Sequence, residues 1–177
     1  MASDRDLIGP AQSASIIELI QSVLALELIQ PSKTLWFGSA WISDISILNN
    51  RAFQFSSLEP DWPAEMISLS SVMLAIAKRG TKLIIITREN EDNANFIQKI
   101  KSSSLYNKNI VFVLRDEFHE KGLLADDYEI FGTMNFTYKG ITTNDERITY
   151  RTDVSKLSER QVTAWNKYGD EINAASK

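Results

Sequence analysis

An α/β fold with a mixed β-sheet and helices on both faces is predicted for this chain of 177 residues. Helical segments alternate with buried strands in the first part of the chain, whereas short strand candidates follow one another closely after residue 117. No linker rich in proline, glycine or serine divides the sequence. One domain over residues 1–177 is therefore the expected organisation.

The helices are predicted from apolar residues that recur at helical spacing. The first, at residues 11–30, is apolar around much of its circumference, so we expect it to be covered on more than one side. The other predicted helices lie at residues 64–79, 93–102 and 155–174. Gly80 is the expected residue just beyond the second helix, and Ser155 is the expected N-cap of the last.

The strands are predicted from short runs of β-branched, aromatic and other apolar residues. Three buried strands are expected at residues 34–42, 81–87 and 109–114. Shorter strands are expected at residues 118–125, 128–132 and 146–152. Residues 49–63, with an Asn pair and two prolines, are predicted to be irregular.

Composition excludes several classes of site. The chain has no cysteine, which excludes disulfides, thiolate metal sites and a cysteine nucleophile. The N-terminus lacks a basic stretch leading into an apolar one, so we expect no secretory signal and a cytoplasmic location. The net charge of −4 argues against binding of nucleic acid over the whole surface but is compatible with a local basic cleft.

Residues 119–135, HEKGLLADDYEIFGTMN, are the most informative about function. His119 and Lys121 are two residues apart on a predicted strand, so their side chains share a face. Thr133 and Asn135, after a glycine, are placed in the same way. Adjacent strands would present all four side chains around one small volume. A nucleophilic imidazole, a lysine charge and an amide donor suit a phosphoryl group.

The spacing His-x-Lys-x4-Asp, followed by Gly-Thr-x-Asn, resembles the signature of the phospholipase D superfamily. It is carried by His119, Lys121, Asp126, Gly132, Thr133 and Asn135. The resemblance runs over residues 35–151 and includes the run SAWISD at 39–44. The gap from Asp126 to Gly132 is one residue shorter than usual, and Thr133 replaces the commoner Ser. The resemblance implies an α-β-α sandwich around a mixed sheet, with the motif region at 118–151.

The resemblance also implies a two-step displacement that needs no metal or other cofactor. One histidine attacks phosphorus and becomes a phosphohistidine, while a second protonates the leaving oxygen and then activates water. Lys121 and Asn135 would hold phosphate oxygens. An acidic residue would fix the tautomer of the nucleophile; the run Asn144-Asp145-Glu146 lies where it is expected. We assign that role to Glu146. The alternative is that Glu146 is only a solvated charge at the end of a strand.

Supporting roles are expected for Gly132, Thr133 and Asp126. Asp126 is interpreted as a structural partner near the motif. The other interpretation, a metal pair with Asp127, is disfavoured because one histidine and no cysteine remain to complete the metal shell.

Substrate contacts are expected from three residues near the motif: Arg115, Trp41 and Ser39. Trp41 as a core residue is the alternative. The mechanism needs two histidines, and His119 is the only one in the chain. Single-motif members of the superfamily pair two chains about a twofold axis, so the resemblance implies a homodimer.

Three functions are compatible with these features. The first is a metal-independent phosphodiesterase acting on nucleic acid, because small single-motif members are more often nuclease-like than lipid-hydrolysing. The second is a non-catalytic phosphate- or nucleic-acid-binding component of a bacterial DNA-modification or defence system, with partner proteins. The acidic net charge motivates it, and the chain also resembles phospholipase D-like proteins of deazaguanine DNA-modification clusters. The third is phospholipid hydrolysis, for which no amphipathic helix with a basic face is visible, so no stable membrane association is expected.

Overall fold

The computed structural model describes residues 4–9, 11–142 and 146–175. Asn144 and Asp145 of the predicted acidic turn lie outside these ranges. The elements are, in chain order, β1 (Arg5–Ile8), α1 (Ser13–Ile29), β2 (Thr34–Gly38), β3 (Ser46–Asn49), β4 (Met66–Ser68), α2 (Leu69–Lys78), β5 (Lys82–Thr87), α3 (Glu91–Lys101), β6 (Ile110–Leu114), β7 (Gly122–Leu124), β8 (Glu129–Gly132), α4 (Tyr138–Thr142), β9 (Arg147–Arg151) and α5 (Val154–Ala175).

Seven strands form one mixed sheet in the order β1-β9-β8-β7-β2-β5-β6. Strands β2, β5 and β6 are parallel to one another. From β2 towards the other edge, β7, β8, β9 and β1 follow, and each is antiparallel to its neighbours. A separate antiparallel pair is formed by β3 and β4.

The sheet is covered by helices on both faces. Along β5, Leu83 and Ile85 belong to the core that packs against α1, α2 and α3. The alternate residues Ile84 and Ile86 belong to a second apolar cluster under α5. Because side chains alternate across a strand, a strand buried on both faces reads as a continuous apolar run. The predicted α-β-α sandwich around a mixed sheet is confirmed.

The helix predicted at residues 64–79 is α2, which begins later than predicted, at Leu69. Residues Met66–Ser68 instead pair with β3, and the Ser68 hydroxyl accepts a hydrogen bond from the backbone N–H of Ser71, capping α2. A tertiary strand pairing has here overridden the helical pattern. Gly80 follows α2 with φ of 101°, as expected of a residue just past a helix.

The last helix begins earlier than predicted, and its cap is a different residue. The carboxylate of Asp153 accepts from the backbone N–H of Lys156 at 3.0 Å, so Asp153 takes the capping role predicted for Ser155. Three short elements, β1, β3 and α4, were not predicted, because segments of four or five residues carry too little periodicity.

Strand order gathers several segments at one end of the sheet. Strands β2 and β5 are parallel, so the chain leaves both there, and β7 starts there because Gly38 pairs with Gly122. Strand β8 ends and β9 begins at the same end, where Gly132 pairs with Ile148. We call this the motif end: the segments that follow β2, β5, β6 and β8 and precede β7 and β9.

Candidate functional site

His119 and Lys121 lie in the irregular segment before β7, and not on the strand itself as predicted. The His119 ring is exposed and Lys121 is half-buried. The Lys121 ammonium donates to the backbone carbonyl of His119 at 2.5 Å. Burial, then the charge of Arg88, lowers the pKa of Lys121 below its usual value, while Glu146 acts in the opposite direction. The ammonium therefore lies within electrostatic reach of both residues.

Arg88, the residue directly after β5, is a site residue that lies outside the sequence motif. Its Nη2 donates to Nε2 of His119 at 2.7 Å, and its Nε donates to the carbonyl of Phe118 at 2.9 Å. The guanidinium lies over the Trp41 ring, 4.9 Å from the ring centroid. The sequence feature that could have indicated Arg88 is its position, because it is a cation directly after a buried strand, and the carboxyl end of that strand lies at the motif end.

Asn135 lies in the loop after β8. Its Oδ1 is 3.4 Å from both the backbone nitrogen of Trp41 and the hydroxyl of Ser39. With its oxygen turned toward the protein, the amide nitrogen makes no hydrogen bond to any described residue and can donate to a ligand.

Ser39 is fully buried. Its hydroxyl donates to the Trp41 carbonyl at 2.7 Å and accepts from the backbone N–H of Phe136 at 3.2 Å. Ser39 was predicted to contact substrate, but this hydroxyl is enclosed. Its place in the structure is a link between the loops that carry Trp41 and Asn135.

Thr133 joins the end of β8 to the start of β9. Its hydroxyl donates to a carboxylate oxygen of Glu146 at 2.6 Å and accepts from the backbone N–H of Arg147 at 3.0 Å. The His119 ring is hydrogen-bonded to Arg88 and, among the described residues, not to Glu146. The predicted contact between Glu146 and the imidazole therefore stays a prediction.

Gly132 explains how β8 and β9 approach so closely. A Cβ atom at this position would lie 1.9 Å from the carbonyl oxygen of Arg147. No larger residue fits this backbone contact.

Asp126 lies at the opposite end of the sheet. Its carboxylate accepts from the backbone N–H of Lys33 at 2.8 Å, and its own N–H is 3.4 Å from the Ser32 hydroxyl. It ties the turn after β7 to the segment that enters β2, and strand β7 separates it from His119. Among the described residues, no group of three or more His, Cys, Asp or Glu side chains is placed to hold a metal ion.

Residues 62–164 match the family model described as "Cardiolipin synthase, PLD-like domain". The chain belongs to the phospholipase D-like domain family. No curated protein matches it. Within the described residues, no helix has the length and apolar character needed to cross a membrane.

Solved structures share this phospholipase D-like fold at low sequence identity. NucT from Helicobacter pylori is 11% identical, with a TM-score of 0.62, over 99% of this chain and 98% of that one. Nuc from Salmonella typhimurium, a phospholipase D family member, is 16% identical, with a TM-score of 0.60, over 96% and 95%. The archaeal chromatin protein TrmBL2 is 14% identical, with a TM-score of 0.53, over 95% of this chain and 53% of its own.

Two cavities open beside the motif end of the phospholipase D-like domain. One, of about 280 Å³, is lined by His119, Arg115 and residues of α5. Arg115 pairs with Glu171 at 3.8 Å and lies over the Tyr168 ring, so its charge is already partnered. The other, of about 500 Å³, extends along the α5 face of the sheet and is lined by Lys121, apolar side chains and several charged ones.

Proposed function

We propose that this chain is a metal-independent phosphodiesterase that acts on nucleic acid through a phosphohistidine, in an active site shared by two copies. The observation that carries the proposal is the meeting of His119, Lys121 and Asn135 at one end of the sheet, each with a group that suits a phosphate. We call these three residues, together with Thr133 and Glu146, the half-site.

In the first step, Nε2 of His119 attacks the phosphorus. The bond to the leaving oxygen breaks, its electron pair goes to that oxygen, and the partner subunit's His119 supplies the proton. The Lys121 ammonium and the Asn135 amide nitrogen donate to the non-bridging oxygens, where negative charge develops. Such preorganised donors stabilise the transition state without a metal ion.

In the second step, the partner subunit's His119, now neutral, removes a proton from water. The water oxygen attacks the phosphorus, the phosphorus–nitrogen bond breaks, and its electron pair returns to Nε2. Glu146 would hold the other ring nitrogen of the nucleophile once substrate is bound.

The need for two histidines supports a homodimer. The chain has one histidine, which cannot be both nucleophile and general acid in the same step. A twofold axis beside the motif end would bring two exposed imidazoles to one phosphate. Each half-site would then supply one lysine and one amide.

Nucleic acid is the substrate class that we favour. Small single-motif members of the superfamily are typically nuclease-like, and TrmBL2, which shares the fold, is an archaeal chromatin protein with a novel mode of DNA binding. With a net charge of −4, the basic groups that contact phosphate must be concentrated locally. We expect the protein to work in the cytoplasm, where the absence of cysteine suits the reducing medium.

The test is cleavage of fluorescent single- and double-stranded DNA and RNA in EDTA. We expect wild type to cleave at least one of them, and His119→Ala and Lys121→Ala to lose cleavage. Lys33→Ala is the matched control for Lys121→Ala, because Lys33 is exposed and lies beside Asp126 at the opposite end of the sheet. Cleavage that survives His119→Ala would overturn the mechanism.

A subunit-mixing experiment tests the shared site. When wild type and His119→Ala are mixed in equal amounts and allowed to re-assort, about one quarter of all dimers should carry His119 in both subunits. Activity should fall to about one quarter of that of wild type at the same total protein concentration, rather than to the half expected if each chain acts alone. Light scattering should give twice the 20.0 kDa mass of one chain. A strict monomer contradicts the proposal, and binding without cleavage would favour the non-catalytic component.

A further inference from the structure

Arg88 is the cation closest to the proposed nucleophile, and it is not part of the sequence motif. Its Nη2 is 2.7 Å from Nε2 of His119. A guanidinium is always protonated and has no acceptor, so Nε2 must be the acceptor in this pair. The contact therefore occupies the lone pair that the proposed reaction uses.

Two further contacts hold the guanidinium in place. The Arg88 Nε donates to the Phe118 carbonyl at 2.9 Å, and the guanidinium carbon lies 4.9 Å from the centroid of the Trp41 ring. The backbone nitrogen of Trp41 is in turn directed at Asn135. The arginine is thus held by the segment that carries His119 and by Trp41, which contacts Asn135 of the half-site, so it loses little freedom when it binds a ligand.

The hydrogen-bonding capacity of Arg88 is not exhausted. A guanidinium has five N–H donors, and the described residues accept from Nε and once from Nη2. No described carboxylate forms an ion pair with Arg88, in contrast to Arg115, which pairs with Glu171. Its charge also acts on the ammonium of Lys121, whose pKa it helps to lower, while Glu146 acts in the opposite direction. Arg88 and Lys121 both donate hydrogen bonds to His119, and two cations at one residue favour an anion at that place.

We infer that Arg88 is a phosphate-binding residue of the half-site: a non-bridging oxygen of the bound phosphodiester takes over the hydrogen bond that Arg88 gives to Nε2 of His119, and this releases the lone pair of Nε2 for attack on phosphorus. The inference rests on the proposed function. It assigns Arg88 two states, one on the imidazole before substrate binds and one on the phosphate afterwards.

Trp41 then has a defined task. Its ring lies against the guanidinium in both states, so the arginine changes its hydrogen-bond partner and stays over the ring. This role differs from a direct contact between Trp41 and substrate.

Steady-state kinetics on a single-stranded oligonucleotide in EDTA form the first arm of the test. Arg88→Ala should lower kcat/KM by roughly 100-fold, the usual effect of losing one donor to developing charge. Arg88→Lys keeps the charge but not the planar set of N–H donors, so it should restore only part of the wild-type kcat/KM. Lys108→Ala is the control: Lys108 is exposed and precedes β6, at the end of the sheet opposite to Arg88. Thermal melting checks that each variant is folded.

The second arm uses inorganic phosphate and does not require turnover. His119 is the only histidine, so nitrogen NMR of histidine side chains reports on it alone. At mildly alkaline pH the wild-type ring should carry its proton on Nδ1, and Arg88→Ala should reduce that tautomer. Inorganic phosphate should shift the Nε2 signal of wild type and of Lys108→Ala at concentrations about ten-fold lower than for Arg88→Ala.

The outcomes separate the two proposals. If wild type cleaves no nucleic acid but binds phosphate through Arg88, the proposed function fails, and of the inference only the phosphate-binding role of Arg88 stands. If Arg88→Ala cleaves and binds phosphate as wild type does, the inference is wrong and the phosphodiesterase proposal survives. A changed tautomer with unchanged phosphate binding and KM would also overturn the inference, because Arg88 would then only orient the imidazole.

Discussion

Gly132 carries the sharpest structural prediction, since one methyl group there should disturb both the sheet and the half-site. In Gly132→Ala the new carbon would lie 1.9 Å from the Arg147 carbonyl oxygen. An ordinary carbon–oxygen contact is about 3.3 Å or more, so β8 and β9 must separate by more than 1 Å at this point.

The decrease in the free energy of unfolding can be estimated from the hydrogen bonds that such a shift breaks. The backbone N–H of Thr133 donates to the Arg147 carbonyl at 2.9 Å, and the N–H of Arg147 donates to the Thr133 hydroxyl at 3.0 Å. Two net contributions of about 1 kcal/mol each, with about 1 kcal/mol of backbone strain, give about 3 kcal/mol. For a chain of this length that corresponds to a decrease in Tm of roughly 6–12 °C. Displacement of Thr133 and its partner Glu146 should lower cleavage by about 100-fold.

Urea denaturation of Gly132→Ala and Gly169→Ala tests this estimate. Gly169 lies within α5, where a Cβ would meet the Trp165 ring at 3.9 Å, an ordinary contact. Gly169→Ala should therefore stabilise the protein by up to about 1 kcal/mol, the helix propensity difference. If Gly132→Ala cost less than about 1 kcal/mol, the close approach of β8 and β9 would not be required, and the reasoning would be refuted.

Two further predictions concern other parts of the chain. Burial alone would raise the pKa of Glu120, but the hydrogen bond and charge of Lys167 and the Tyr168 hydroxyl hold it below its usual value. The folded pKa lies below the ordinary glutamate value of 4.5, so this carboxylate stabilises the protein above about pH 5. The contribution is lost as the pH falls through the lowered pKa. Chemical denaturation at several pH values should show that Glu120→Gln removes part of this dependence; an unchanged profile would contradict the assignment. Asp126→Asn should destabilise the protein by about 1 kcal/mol, through the Lys33 hydrogen bond, and leave kcat unchanged; a large decrease in kcat without loss of stability would place Asp126 in the active site instead.

The sequence was sufficient for the fold class and the family, because both depend on local information. Apolar runs and helical spacing reveal which segments are buried, and the order of those segments narrows the topology. The spacing of His119, Lys121 and Asn135 within 17 residues is equally local. The N-cap of α5 was predicted wrongly because the Asp153 carboxylate, rather than Ser155, caps the helix. The start of α2 was predicted too early because Met66–Ser68 pair with β3 instead of continuing the helical pattern.

Tertiary structure alone decided which distant residues meet at the motif end. Arg88 is 31 residues from His119, and Ser39 is 96 from Asn135; their contacts exist because parallel β2 and β5 end where antiparallel β7 begins. The same strand order places Asp126, a member of the sequence motif, at the other end of the sheet. A local pattern determines the secondary structure of a segment, whereas packing of the whole chain selects the neighbours of a strand. The motif could therefore be found in the sequence, but the contact between Arg88 and His119 could not.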